Sequence, residues 1–211
     1  MAKNMQPVQK RCKALGLSPA VLGYSRTETK RNPKPQMRRK QSEYGRQLME
    51  KQKVKFIYGV LEKQFYRYYE MAERKRGITG EIMLQYLERR LDNVVFRMGF
   101  AGTRREARQL VNHGHFTING RRCNIPSALV KPGDVVAVSQ KFRESKKFKG
   151  YKSEDESKNV TGLVEIYGKK PMPKWIEKEA DAAEGKIVAL PSREDIDYEV
   201  SENLIVELYS R

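Results

Sequence analysis

Arg104 and Arg108 lie four residues apart and would share one face of a helix, with Ala107, Leu110 and Val111 on another face, toward a core. Arg121 and Arg122 follow directly on Asn119-Gly120. That dipeptide favours a type I′ hairpin turn, which needs positive φ at both positions. A helix face and a hairpin tip, both rich in arginine, could clamp a phosphate backbone from two sides. The planar guanidinium suits that role because it pairs bidentately with phosphate and stacks on bases. On RNA, whose deep, narrow major groove hides base edges, shape and backbone contacts at junctions would be the expected readout.

Other chemistries find little support. His113-Gly-His115 is the one histidine pair, and Cys12 and Cys123 lie far from it in sequence. A structural zinc wants four ligands in closely spaced pairs, so no metal is expected. The chain holds no Gly-x-Ser-x-Gly, no phosphate loop and no Gly-x-Gly-x-x-Gly. Its paired carboxylates, Glu154-Asp-Glu156 and Glu194-Asp195, sit in hydrophilic tail segments, where solvation is the ordinary state. The reading is therefore not an enzyme, with no catalytic residue, no cofactor and no small-molecule substrate.

The elements that must hold the arginines follow from periodicity. Residues 42–76 read as two helices, with Tyr44, Leu48, Phe56, Val60 and Leu61 at helical intervals and Gly59 and Gly77 as punctuation. Gly80 opens another helix, on which Leu84, Leu87, Leu91, Val94 and Met98 draw a single apolar stripe up to a capping Gly99. Thr103-Arg-Arg-Glu106 fits a capping box. The helix it starts should run to His113 and stop at Gly114. A hairpin strand is expected over 116–118 and a buried strand over 134–138, entered by the turn Lys131-Pro-Gly133. Beyond these, 141–158 reads as a basic, low-complexity linker. The tail offers a corner at 171–175 and one strand near 204–208.

The charge distribution sharpens the choice of partner. The 211 residues carry 43 Lys and Arg against 26 Asp and Glu, a net of +17. Residues 1–55 hold +12, 56–90 hold +2, 91–152 hold +9 and 153–211 hold −6. A membrane-surface protein would set its bases opposite bulky apolar residues on one amphipathic helix. Here they spread over loops, helices and a hairpin, which favours nucleic acid over a membrane. Mean hydropathy is −0.77 and no apolar run approaches the ~20 residues of a membrane span. The opening residues have no apolar core, so no secretory signal is expected, and two cysteines build no disulfide framework, which fits a reducing cytoplasm. The Pro-, Arg- and Lys-rich stretch 1–41 cannot offset its ordering entropy by burial, so an extended basic arm is expected there.

The motifs at 87–100, 103–115 and 118–121 closely resemble the S-four RNA-binding domain. Those at 42–53, 57–65 and 203–210 look like the bacterial small-subunit ribosomal protein S-four family. The resemblance implies an α+β fold: a mostly helical domain with an inserted small αβ domain of two helices and a β-hairpin or short sheet. The domains would then be the arm 1–41, a helical domain 42–90 completed by the tail 159–211, and the RNA-binding domain with its basic linker, 91–158. It further implies a primary binder of small-subunit (16S) ribosomal RNA that nucleates assembly of the 5′ domain. The ribosomal protein S-five would be its neighbour, affecting translational accuracy, and mRNA would pass nearby where it enters the subunit. Arg104, Arg105, Arg108, His113, Asn119, Arg121, Arg122, Lys51, Lys53 and Arg97 are the side chains expected on the rRNA. Arg38, Arg39 and Lys40 fall near the mRNA. Some relatives carry a four-cysteine zinc knuckle in the arm; here Cys12 stands alone, the zinc-free pattern. A ribosomal location in the cytoplasm follows. The alternative is an RNA-processing or ribosome-associated factor that uses the same module.

Overall fold

The computed structural model describes residues 6–24, 42–151, 160–162, 172–178 and 183–210. The chain divides into two compact units, one formed by 1–84 with 196–211 and the other by 85–195.

In the first unit, α1 (Val8–Leu15) and the 3-10 turn Pro19–Leu22 precede α2 (Glu43–Ile57), α3 (Glu62–Glu73) and most of α4 (Thr79–Glu88). Cys12, Leu15 and Leu22 are buried together with Phe56 of α2. The N-terminal stretch is thus not extended throughout. Its apolar residues at 8, 12 and 15 form one helical stripe that α2 covers. Ser42 caps α2 by accepting the Gly45 N–H at 3.2 Å.

The end of the chain is helical as well. Residues 202–209 form α9 (Glu202–Tyr209), not a strand, and it packs on α2 with Ile205 fully buried. Short apolar runs do not distinguish strand from helix by pattern alone, and here packing on a neighbouring helix decides. The Tyr198 hydroxyl donates to the Tyr58 hydroxyl at 2.9 Å inside this unit.

In the second unit the predicted long helix breaks. After α4, Arg90 is extended (φ −64°, ψ 136°) before α5 (Leu91–Arg97) begins. At the break the Leu91 N–H donates to the Ala128 carbonyl at 2.8 Å, so residues 89–92 pair with the 126–130 segment instead of continuing the turn. The apolar stripe survives the break as burial: Leu84, Leu87, Leu91, Val94 and Met98 are all buried. Gly99 then takes the left-handed conformation expected of it (φ 73°). In α6 (Arg104–Asn112), Thr103 Oγ1 accepts the Glu106 N–H at 3.1 Å and the Glu106 carboxylate reaches back to the Gly102 N–H at 3.0 Å.

The hairpin β1 (Phe116–Ile118) and β2 (Arg121–Cys123) turns at Asn119 (φ 50°) and Gly120 (φ 78°), as the dipeptide predicted. Strand β3 (Val135–Val138) lies on the other side of β1. The stretch read as a bare linker forms α7 (Gln140–Arg143), α8 (Lys146–Lys149) and β4 (Gly150–Tyr151), which pairs with β5 (Val160–Thr161). Phe142 and Phe148 there are buried in the core; residues 152–158 lie outside the described residues.

Two unpredicted strands, β6 (Ile176–Glu177) and β7 (Glu184–Ile187), extend the antiparallel sheet in the order β2-β1-β3-β7-β6. They carry 172–195 into the second unit, so the tail joins the helical unit only from residue 196, not from 159. The core between α5, α6 and the sheet holds Leu91, Val94, Phe100, Val111, Phe116, Val136, Trp175 and Ile187.

Candidate nucleic-acid interface

The site is built on α6 and the β1–β2 hairpin of the second unit. Helix α6 turns Ala107, Leu110 and Val111 into the core, which leaves Arg105, Gln109 and His113 exposed. The hairpin places Asn119, Gly120, Arg121 and Arg122 at the surface.

The arginines are not equivalent. Arg104, predicted to lie on the outer face, is 6% exposed. Its Nε donates to Asn93 Oδ1 at 2.9 Å and its guanidinium lies 4.5 Å from the Phe96 ring centre. Arg108 is held inward by Asp92, with Nε and a terminal nitrogen each 2.8 Å from Oδ2. Position 104 opens the helix, where the preceding 91–103 segment folds over its side chain, so four-residue spacing did not place the pair in solvent. Arg105, Arg121 and Arg122 are the exposed arginines of the two elements.

Arg122 has a structural task. Its Nε donates to the Gly114 carbonyl at 3.0 Å and its terminal nitrogen to the His113 carbonyl at 3.2 Å. A cation thereby sits on the unsatisfied carbonyls that end α6, where the helix dipole favours it. Asn119 locks the turn to β3: its side chain donates to Asp134 at 2.9 Å and accepts the Val135 N–H at 2.9 Å. The exposed His113 ring meets His115 edge-on at 5.8 Å, and His115 stacks on Phe142 at 4.2 Å.

Behind the arginine face lies a buried ionic network that sequence reading missed. Glu88, fully buried, accepts from Arg97 Nε at 3.1 Å, an Arg97 terminal nitrogen at 2.9 Å and Asn93 Nδ2 at 2.7 Å. Asp92 accepts both arms of the Arg90 fork, at 3.0 and 2.7 Å, as well as Arg108. The signal was present. Glu88, Asp92 and Asn93 interrupt an apolar stripe, and buried polar groups require partners. Arg97, expected on RNA, belongs to this network instead of the surface.

The expected residues of the first unit are also committed. Lys51 is 9% exposed and donates to Glu62 at 2.6 Å, while Lys53 pairs with Glu50. Burial would raise the Glu62 carboxyl, but hydrogen bonds from Lys51, Lys55 and the Tyr209 hydroxyl outweigh it and hold the group at about 2. Burial and the acceptor Glu62 together push the Tyr209 phenol upward. Arg38, Arg39 and Lys40 lie outside the described residues. Among the described residues no three His, Cys, Asp or Glu side chains gather as metal ligands would, and Cys12 is buried in the α1–α2 core.

A helix-and-hairpin module with arginines at its surface on a small antiparallel sheet defines an RNA-binding domain, and sequence comparison agrees. Residues 89–136 match the family model of the S4 domain, and residues 3–88 match that of the ribosomal protein S4/S9 N-terminal domain. The chain is 58% identical over 179 residues to small ribosomal subunit protein uS4 of Caldicellulosiruptor bescii, covering 83% of this chain and 79% of that one. It is 47% identical to uS4 of Fusobacterium nucleatum over 211 residues, the whole of both chains. The uS4 protein of Acetivibrio thermocellus is 57% identical over 176 residues, 83% of this chain and 79% of its own. The chain belongs to the uS4 family.

Proposed function

We propose that this protein is a structural, non-catalytic component of the small ribosomal subunit that binds the subunit's ribosomal RNA. The observation that carries the reading is the likeness to uS4 over the whole of both chains. The exposed arginines on α6 and the hairpin supply the chemistry, with Arg105, Arg121 and His113 touching RNA directly. Arg104, Arg108 and Arg97 act from behind, and Arg122 and Asn119 from the surface itself, holding those elements in place through the bonds described above. Lys51 and Lys53 fix α2 in the same way.

The finer role is binding early in assembly and nucleating the 5′ domain. A protein neighbour of the S-five type affects decoding accuracy, and Arg38, Arg39 and Lys40 lie near the incoming mRNA. The charge blocks support this reading, because the basic stretches precede and overlap the RNA-binding module while the acidic tail is left for protein contacts.

The test is filter binding of the full chain to purified small-subunit rRNA across a salt series. Affinity should fall steeply, with a log–log slope of about −0.7 to −0.9 per phosphate contacted. The Arg105→Glu/Arg121→Glu double variant should bind more weakly at moderate salt while keeping its unfolding temperature. A flat salt response, or unchanged affinity of the double variant, refutes the interface. Substoichiometric, salt-labile association with small subunits would favour a processing factor instead.

A further inference from the structure

Only one asparagine of the chain, Asn119, is followed by glycine. That neighbour brings chemistry as well as turn geometry. A glycine nitrogen has no Cβ crowding it, so it can reach Cγ, the carbonyl carbon of the preceding side-chain amide. The Gly120 N–H makes no hydrogen bond among the described residues. Asn119 and Gly120 are both exposed, so water reaches them.

The folded turn holds the two atoms apart in two ways. Asn119 has φ 50°, and in left-handed backbone Cβ and the next residue's nitrogen are nearly anti about the Cα–C bond. A five-membered ring between them needs the two nearly eclipsed. The side chain is also held at both of its polar atoms. Its Nδ2 donates to Asp134 Oδ1 at 2.9 Å, and its Oδ1 accepts the Val135 N–H at 2.9 Å. The Asn119 N–H donates to the Val135 carbonyl at 2.9 Å, and Asp134 is itself fixed, its Oδ2 accepting the Lys131 N–H at 2.7 Å. An Asn-Gly turn closes without such contacts, so the turn alone does not account for them.

We propose that Asn119 is a site of deamidation, latched shut by Asp134 and Val135 while the hairpin lies on β3 and open when that contact releases. In the open state the Gly120 nitrogen attacks Asn119 Cγ. An N–C bond forms, the Gly120 nitrogen gives up its proton, and the side-chain amide nitrogen leaves as ammonia, which closes a cyclic imide. One water then opens the ring at either carbonyl. The product is aspartate or, with the chain rerouted through Cβ and Cγ, isoaspartate, and no oxidant or reductant takes part. Either product lacks the amide donor and sets a carboxylate against Asp134, so the latch is lost. The new anion lies on the hairpin tip beside the exposed Arg121, on the surface read as RNA-binding. The site itself does not depend on that reading.

The test is peptide mapping of the full chain after incubation in mildly alkaline buffer, native and in concentrated urea. Trypsin releases Gln109–Arg121, whose mass rises by about a dalton when amide becomes acid, and fragmentation assigns the gain to Asn119 or Asn112. In urea Asn119 should convert ahead of every other asparagine. In the native chain it should slow by the factor that protects the Val135 amide from hydrogen exchange, since one opening frees both. Asp134→Ala should raise the native rate about tenfold, for one lost hydrogen bond to a charged group. Asn119→Gln, whose longer side chain closes a six-membered ring far more slowly, should show no gain at that position. Equal rates in native buffer and urea with a protected Val135 amide overturn the proposal, as does earlier conversion of another asparagine. So does an Asp134→Ala chain that folds and converts at the parental rate. If that variant does not fold, the comparison of native and unfolded parent decides.

Discussion

Replacing Glu88 by alanine would remove the carboxylate on which Arg97 and Asn93 converge. Arg97 is 9% exposed, so its guanidinium would be left largely buried without its counter-charge. Breaking such a pair from one side costs about 3–5 kcal/mol, because the remaining charge cannot recover its hydration. The loss should be read in the unit that contains the pair. The chain has a single tryptophan, Trp175, which is buried in the core of that unit, so its fluorescence follows that unfolding alone. With a urea dependence of about 2 kcal/mol/M, the midpoint should fall by about 1.5–2.5 M. The double variant Glu88→Leu/Arg97→Met replaces the pair by apolar groups of similar size and should regain most of the loss. A single-variant shift under about 0.5 M would refute the reasoning, as would a double variant that loses the sum of both single effects.

Gly114→Ala should cost about 2–3 kcal/mol in the same assay. Its φ of +70° disfavours a Cβ, and an added Cβ would collide with Arg122 Nε, which displaces the guanidinium from the end of α6. Gly120→Ala, at φ +78° with open space around it, should lose about 1 kcal/mol; equal losses would show that the Arg122 contact is idle. For Glu62 the folded carboxyl is depressed to about 2, below its unfolded value. Its contribution is therefore present above about pH 4.5 and lost as pH falls toward 2. Unscreened, that shift is worth about 3 kcal/mol, and near-half exposure reduces it to about 1. Acid titration of helicity should show this loss in the parent and not in Glu62→Gln. Tyr198→Phe leaves the buried Tyr58 hydroxyl without its donor and should cost about 1 kcal/mol, seen as faster amide exchange in α9.

Local rules made much of the fold legible. The Thr103 cap, the left-handed Gly99 and Gly114, and the Asn119-Gly120 turn are short-range geometry, decided within four residues, and each stands where the sequence puts it. The α+β class followed from periodicity and resemblance together. Elements whose partners are far away were not legible. Strand β7, with Ile187 its one large apolar side chain, pairs with the edge of β3, and the two-residue β6 pairs in turn with β7. The α9 segment is a helix because α2 covers its apolar side.

For the arginines the division is sharpest. Residue type alone marked a surface for polyanions, since +17 on 211 residues needs a counter-charge that the chain does not supply. Which of those arginines face outward was beyond the sequence. A guanidinium is equally at home on phosphate or on a buried carboxylate, and Arg97, Arg104 and Arg108 are claimed by Glu88, Asn93 and Asp92. The choice depends on where the chain brings those acceptors, and only the tertiary structure sets that.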